Sequence, residues 1–312
     1  MTITITGASG FLGQRIARRL AARGERLLLA DLVAPPSPPP GAQVVVGAIS
    51  DGETLARAIT EETTAVISLA AVVSSGAEAN FAHGYDVNLV GLRAQLERCR
   101  TLGTRPRFVF TSSLAVFGAV PSVDDQTAAM PQSSYGTQKA IGELMVNDYG
   151  RRGFVDGRTL RLPTVSIRPG KPNAAASGFA SGILREPLAG LPSTCPVGED
   201  LGIWLASPAT VTEAILHGYD LPADALAPWR AINTPGITVS VGEMMAALER
   251  AGGDRSLVRF ERDPAIEAIV GSWPSRFETP RALELGFPSA ADLDATIAEH
   301  VRDTETAGST SL

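Results

Sequence analysis

Through the first half of the chain, short runs of alternating or β-branched apolar residues are separated by longer stretches whose apolar positions recur every three or four residues. The short runs predict strands at Thr2–Thr6, Arg26–Asp31, Gln43–Gly47, Ala65–Leu69, Arg107–Thr111 and Arg158–Leu162. Between them, Leu12, Ile16 and Leu20, then Leu89, Leu92 and Leu96, then Ile141, Leu144 and Met145 fall on helical stripes expected to face a core. Strand and helix in strict alternation build parallel βαβ units. The expected fold class is therefore α/β, a doubly wound parallel sheet followed by a smaller C-terminal lobe.

The pattern changes after Pro163, where a stretch dense in Gly, Pro, Asn, Ala and Ser runs over 168–181. The expected organisation is a first domain over 1–168 with returning elements near 203–235, a second lobe over 169–302, and a disordered tail over 303–312. Ile203–Ala206 and Ala231–Asn233 are expected to rejoin the main sheet as strands, while Val241–Ala251 and Ala290–Val301 read as helices of the lobe. The proline-rich 35–41 lies between two predicted strands and reads as a stiff surface loop rather than a domain linker.

Composition narrows the class. With 312 residues, 44% of them hydrophobic, the chain can bury a sizeable core. Its longest apolar runs are strand-sized, short of the roughly 20 residues that span a membrane, and the N-terminus enters directly into a strand. A cytoplasmic protein without membrane contact is expected. A formal charge of −6 argues against nucleic acid as a partner. Cys99 and Cys195 lack metal-ligand spacing, and His83, His217 and His300 stand in no zinc or triad pattern, so a metal-free mechanism is expected.

The first strand runs into Thr6-Gly7-Ala8-Ser9-Gly10-Phe11-Leu12-Gly13, with glycines spaced GxxGxxG. Glycine permits a tight turn and a close backbone approach to a pyrophosphate, whose charge then sits at the positive end of the following helix. A strand before the turn and an amphipathic helix after it meet the contextual test for a dinucleotide site, which makes the first domain Rossmann-type. Asp31 ends the second predicted strand, about 20 residues on, where a carboxylate accepts from the adenosine ribose hydroxyls and repels a 2′-phosphate. That favours NAD over NADP; the position also suits a helix cap. Ile49 and Asp51 are expected beside the adenine, and Leu69, Ala70 and Ala71 beneath the cofactor.

Removing hydride from a secondary alcohol needs a base for the hydroxyl proton and a group that orients the oxygen. Ser112 and Ser113 follow the fifth strand at its carboxyl end, and Tyr135 and Lys139 follow in Ser133-Ser134-Tyr135-Gly136-Thr137-Gln138-Lys139. A separation of four residues puts phenol and ammonium on one helix face, where the positive charge is expected to draw the phenol from its ordinary value of about 10 toward the working range of a general base. Lys139 can also hold a ribose. Ser113 would bind the substrate oxygen.

With these motifs, TGASGFLG, FTSSLAVFG and SSYGTQKAIGE, the chain resembles the extended short-chain dehydrogenase/reductase family, which includes sugar-nucleotide epimerases, dehydratases and uronate dehydrogenases. The resemblance covers nearly the whole chain and implies Ser113 as the catalytic serine beside Tyr135 and Lys139. It also implies that Pro163 presents backbone groups to a nicotinamide amide. The segments LAAVVSSGAEANF and RLPTVSIRPGKPNAAASGFASGILREPLAG resemble the D-erythronate dehydrogenase branch, which implies NAD-dependent oxidation of a C2 hydroxyl in four-carbon sugar-acid catabolism; a sugar-nucleotide epimerase, a dehydratase or a uronate dehydrogenase is the alternative. Ser68 stands where the wider family often has histidine, and Ala48 where it often has aspartate.

A small hydroxy acid needs a cationic anchor and several polar contacts. Ser74 and Ser113 are expected near the reacting carbon, with Thr164, Asn173 and Ser177 as further contacts and Arg185 on the carboxylate, a role for which Arg168 and Lys171 compete. Asn88 reads either as structural or as part of a proton relay. Its helix and the one bearing Tyr135 are the expected surfaces of a homodimer.

Overall fold

The computed structural model describes residues 1–170, 175–226 and 228–309, the last four of these by backbone alone. Its strands are β1 (Thr2–Thr6), β2 (Leu27–Asp31), β3 (Gln43–Val46), β4 (Thr63–Ser68), β5 (Arg107–Ser113), β6 (Asp156–Leu162), β7 (Thr164–Val165), β8 (Ser193–Cys195), β9 (Gly202–Ala206), β10 (Ala231–Asn233), β11 (Ile237–Ser240) and β12 (Val258–Phe260). The helices are α1 (Phe11–Ala22), α2 (Gly52–Ala58), α3 (Ser74–Ala79), α4 (Phe81–Tyr85), α5 (Leu92–Leu102), α6 (Ser134–Arg151), α7 (Phe179–Leu188), α8 (Pro208–Asp220), α9 (Val241–Arg250), α10 (Pro264–Val270), α11 (Pro280–Glu284) and α12 (Leu293–Ser309).

Seven strands form one parallel sheet in the order β10-β6-β5-β4-β1-β2-β3. The chain winds outward in one direction from β1 and in the other from β4, so a crevice opens between the carboxyl ends of these two strands. That reversal is where open α/β sheets bind ligands. Alternation along the strands feeds two cores: on β5, Val109 joins Ile16, Leu20 and Ile215 on one face, while Phe108 and Phe110 join Leu55, Leu96 and Val146 on the other. Burying each such side chain contributes about 1.5 to 3 kcal/mol, which clamps the helices to both faces and holds the strand ends in register.

Pro163 separates β6 from β7, and there the chain leaves the large sheet for a small one of order β11-β9-β7. Proline has no N–H to donate, so it suits a point where ladder pairing must change partner. The second lobe has its own core around Ile183, Leu184, Leu205, Met244 and Leu248.

Three expectations are corrected. The run Ile203–Ala206 is a strand, but it pairs with Ile237–Ser240 and Thr164–Val165 in the small sheet; only Ala231–Asn233 rejoins the large one. Periodicity reveals a strand but not its neighbours. Ile141 and Leu144 lie on the exposed side of α6, and the buried side carries Gly142, Glu143 and Val146. Finally, α12 runs on to Ser309 where a disordered tail was expected: Leu293 and Ile297 anchor it in the second core, and Arg15 pairs with Asp303 at 3.0 Å. Among the described residues no helix is long and apolar enough to cross a membrane.

Candidate active site

The first turn of the site is fixed by close approach. Gly7 follows β1 with φ +73°, and a Cβ there would lie 2.6 Å from the backbone nitrogen of Ala70, just past β4. At Gly13 a Cβ would lie 2.4 Å from the Gly7 carbonyl oxygen. Any side chain at these positions would push the turn out of the crevice. Gly10 caps α1 without a side-chain acceptor, so the N–H groups of the first turn, from Phe11 and Leu12 onward, remain directed at the crevice for an anion. At the end of β2, Asp31 accepts from the Ser9 N–H at 2.8 Å and the Leu32 N–H at 2.7 Å, which ties the glycine turn to the neighbouring strand. The cradle could hold a dinucleotide: the free N–H groups at the start of α1 suit a diphosphate, and the Asp31 carboxylate suits the hydroxyls of a ribose. Ile49 is buried against Gly91, and Asp51 caps α2, accepting from the Thr54 N–H at 2.8 Å and the Thr54 hydroxyl at 2.7 Å. Those bonds hold its carboxyl below the usual range, and they leave the expected adenine contact to a carboxylate already engaged.

The second part of the site depends on another close approach. Ser133 caps α6 by accepting from the Gly136 N–H at 3.1 Å, and a Cβ at Gly136 would lie 2.0 Å from the Ala115 carbonyl oxygen. The first turn of α6 therefore rests on the turn that follows β5. This contact sets Tyr135 beside Ser113, close enough for the serine hydroxyl to favour the ionised phenol. One helical turn on, Lys139 donates to the Thr111 carbonyl at 2.7 Å, with its Nζ 5.7 Å from the centre of the Tyr135 ring. Enclosure pushes the Tyr135 phenol up to about 12, opposed by the Ser113 hydrogen bond and the charge of Arg168. Burial likewise pushes the Lys139 ammonium down to about 7, opposed by the Glu143 carboxylate. The expected lowering of the phenol by its neighbouring ammonium is not observed: desolvation raises it, and the groups that oppose the rise are Ser113 and Arg168 rather than Lys139.

These parts meet in one cleft of about 200 Å³ between the large sheet and the second lobe. Leu12, Leu69 and Ala71 line its cofactor side; Ser74, Ser113, Tyr135, Lys139, Pro163, Thr164 and Ser177 line the rest. Arg168 lines it too, whereas Arg185 is turned to the Arg168 carbonyl and to Glu186. Arg185 is thus a support for the Arg168 segment rather than the anchor expected of it. Asn173 and Lys171 lie outside the described residues. Trp273, Leu114 and Val73 complete the walls. Nothing in their spacing marks them, since Trp273 reaches the cleft only through the packing of α10 on the second lobe. A small apolar recess bounded by Leu114, Phe179, Ile203 and Trp273 adjoins the cleft.

Asn88 sits in a π-helical stretch, Asp86–Gly91, between α4 and α5. Its side chain accepts from the Val72 N–H and donates to the Val72 carbonyl, both at 2.9 Å, and donates to Gln138 Oε1 at 2.6 Å. Of its two readings, these bonds favour the structural one: Asn88 pins the segment between β4 and α3 to α6, the helix that bears Tyr135 and Lys139.

The profile of the NAD dependent epimerase/dehydratase family matches residues 3–200. The chain is 49% identical to a D-erythronate dehydrogenase of Cupriavidus necator, over 97% of this chain and 98% of that one. It is 45% identical to a D-erythronate dehydrogenase of Haemophilus influenzae, over 96% and 99%. Among solved structures, a nucleoside-diphosphate-sugar epimerase from Agrobacterium tumefaciens superposes with a TM-score of 0.89 at 39% identity, covering 97% of this chain and 94% of that one.

Proposed function

The chain belongs to the NAD-dependent epimerase/dehydratase family and is an NAD-dependent oxidoreductase; from that premise we propose that it oxidises the C2 hydroxyl of D-erythronate to 2-dehydro-D-erythronate. The observation that carries this reading is the cleft itself: a phenol, a serine hydroxyl and a guanidinium converge in one space of about 200 Å³ with a small apolar recess beside it. A space of that size, lined by several hydroxyls and a guanidinium, suits a short polyhydroxy acid better than a sugar nucleotide. The names of the two bacterial relatives support the same substrate.

In this reading Ser113 holds the C2 hydroxyl, Tyr135 takes its proton, and Lys139 stabilises the resulting phenolate and holds a ribose. Arg168 pairs with the carboxylate, with Ser74, Thr164 and Ser177 on the remaining hydroxyls. Bound NAD supplies the hydride acceptor, and its cationic ring adds a charge that favours the phenolate. The products are the 2-keto acid, NADH and a proton. We place the enzyme in the cytoplasm, in four-carbon sugar-acid catabolism, and assign the apolar side chains left exposed on neighbouring helical segments, Val90, Ile141 and Leu144, to a homodimer contact.

The test is NAD reduction by the purified protein across D-erythronate, threonate, uronates and UDP-sugars. Sustained NADH formation is expected with D-erythronate, and Tyr135→Phe is expected to keep NAD binding while losing turnover. Conversion of a UDP-sugar without net NADH, together with no response to erythronate, defeats the reading in favour of epimerisation.

A further inference from the structure

Beneath Tyr135 and Lys139 lies a second pair of charges that the reaction as described does not use. Glu143 follows Lys139 by four residues on the buried side of α6, and 2% of it is exposed. Arg161, on β6, is 6% exposed and grips both carboxylate oxygens, with Nη2 2.7 Å from Oε2 and Nε 2.9 Å from Oε1. Ser112, adjacent to the catalytic serine, donates to Oε1 at 2.6 Å. Behind them, the Arg161 guanidinium is 4.8 Å from the Phe117 ring centre and donates to Asn233 Oδ1 at 3.3 Å. A carboxylate bound by three donors in a dry interior cannot rotate away, so its charge stands at a fixed distance from the lysine one helical turn back.

We propose that Glu143 and Arg161 act as positioning residues that set the charge on Lys139: the carboxylate holds the ammonium in its charged form, and the guanidinium limits how strongly. The inference rests on the assignment of Tyr135 and Lys139 as the catalytic pair. Only a lysine that keeps its proton can stabilise a phenolate, yet burial drives this ammonium down, to about 7 even with the Glu143 charge opposing the fall. The groups that face the lysine are few. On α6 they are Tyr135 and Glu143; β5 contributes the Thr111 carbonyl and the Phe110 ring, 4.7 Å from Nζ. β6 contributes Arg161 through Glu143, and the second lobe contributes Arg168, whose charge acts on Tyr135. A full negative charge at Glu143 would overcorrect. Neutralised by Arg161, it leaves a bias rather than a trap.

The two charges have opposite signs, so their removal must move the enzyme in opposite directions. Glu143→Gln leaves Arg161 uncompensated and disfavours the ammonium, and the pH profile of kcat should move to lower pH by about one unit, the usual scale for a nearby charge. Arg161→Gln leaves Glu143 uncompensated, and the profile should move by a similar amount to higher pH. The double variant Glu143→Gln/Arg161→Gln, which buries no net charge, should return it toward the original position. A purely structural ion pair predicts the same sign for both single variants, because each breaks the same contact. If one single variant does not fold, the other is read against the double variant: a charge effect is reversed when the second charge is removed, whereas a structural effect persists or grows. Profiles that superpose on the wild type, or that move together, overturn the proposal while leaving the catalytic pair in place. A Tyr135→Phe control that retains wild-type turnover would remove the catalytic assignment and this inference with it.

Discussion

Strand β6 carries two buried arginines three residues apart, and they do different work. Arg158, fully buried, donates from Nη1 to the carbonyls of Gly218 at 2.9 Å, Tyr219 at 3.2 Å and Leu221 at 2.6 Å, where α8 ends. It thereby satisfies carbonyls that the helix itself leaves unpaired and sets a positive charge at the negative end of the helix dipole. Asp156 offsets its charge and is shared with Arg107 and Arg230. Arg161 lies nearer the carboxyl end of the strand, on the other face, and pairs with Glu143 on the buried side of α6. The same residue type on one strand is a strut at one end and part of the site's electrostatics at the other. The difference lies in what the neighbouring helix presents, the end of α8 or the buried side of α6, and that follows from the carboxyl ends of the strands being the ligand-binding edge.

The comparison can be broken most forcefully at the strut. Arg158→Met should cost about 3 to 5 kcal/mol of stability, chiefly by leaving the three carbonyls at the end of α8 without their donor while Asp156 keeps Arg230, as measured by urea unfolding. It should leave the pH profile of turnover in place, and a displaced profile would mean that the two arginines are not separate in function.

A smaller effect of opposite sign is expected at the site. Lys139→Met removes a buried ammonium and should stabilise the cofactor-free protein by about 1 to 4 kcal/mol at neutral pH while abolishing turnover. The sign follows from proton linkage. The folded lysine titrates at about 7 against 10.5 for its ordinary value, so between these the unfolded chain holds the extra proton, and wild-type stability rises with pH across that window. Tyr135, at about 12 against 10.0, acts in reverse above pH 10. The variant should lose the first slope and keep the second; unfolding curves at pH 7, 8 and 9 that run parallel for both proteins would contradict the assignment of burial as the cause.

The smallest effect sharpens the contrast with a third arginine, one that lines the cleft itself. Arg168→Gln should raise KM for the hydroxy acid by about tenfold to a hundredfold, the worth of one charged hydrogen bond, with little change in stability. An unaltered KM would return the carboxylate to another cation.

Much of the site was legible in the chain because it depends on local geometry. A glycine turn between a strand and a helix, an acidic residue at the end of the next strand, and a tyrosine and lysine four apart are set by backbone periodicity over a few residues. Ser113, Tyr135 and Lys139 line one cleft, and Asp31 is bonded to the turn that begins at Gly7. Misreadings arose where the partner lies far along the chain. Arg185 and Arg168 are indistinguishable as cations until the fold turns one toward Glu186 and the other toward the cleft. The apolar face of α6 was misassigned because its buried side carries Glu143 and Lys139, which a hydrophobic stripe does not count.

By itself, then, the order of residues determined the alternation of strand and helix, the cofactor turn and the catalytic spacing, since each is a matter of rise and angle between near neighbours. Only the tertiary structure decided which strand joins which sheet, which arginine meets which carboxylate, and how far burial displaces the phenol and the ammonium. Those outcomes depend on desolvation and on contacts between residues tens of positions apart, and neither is written in any local pattern.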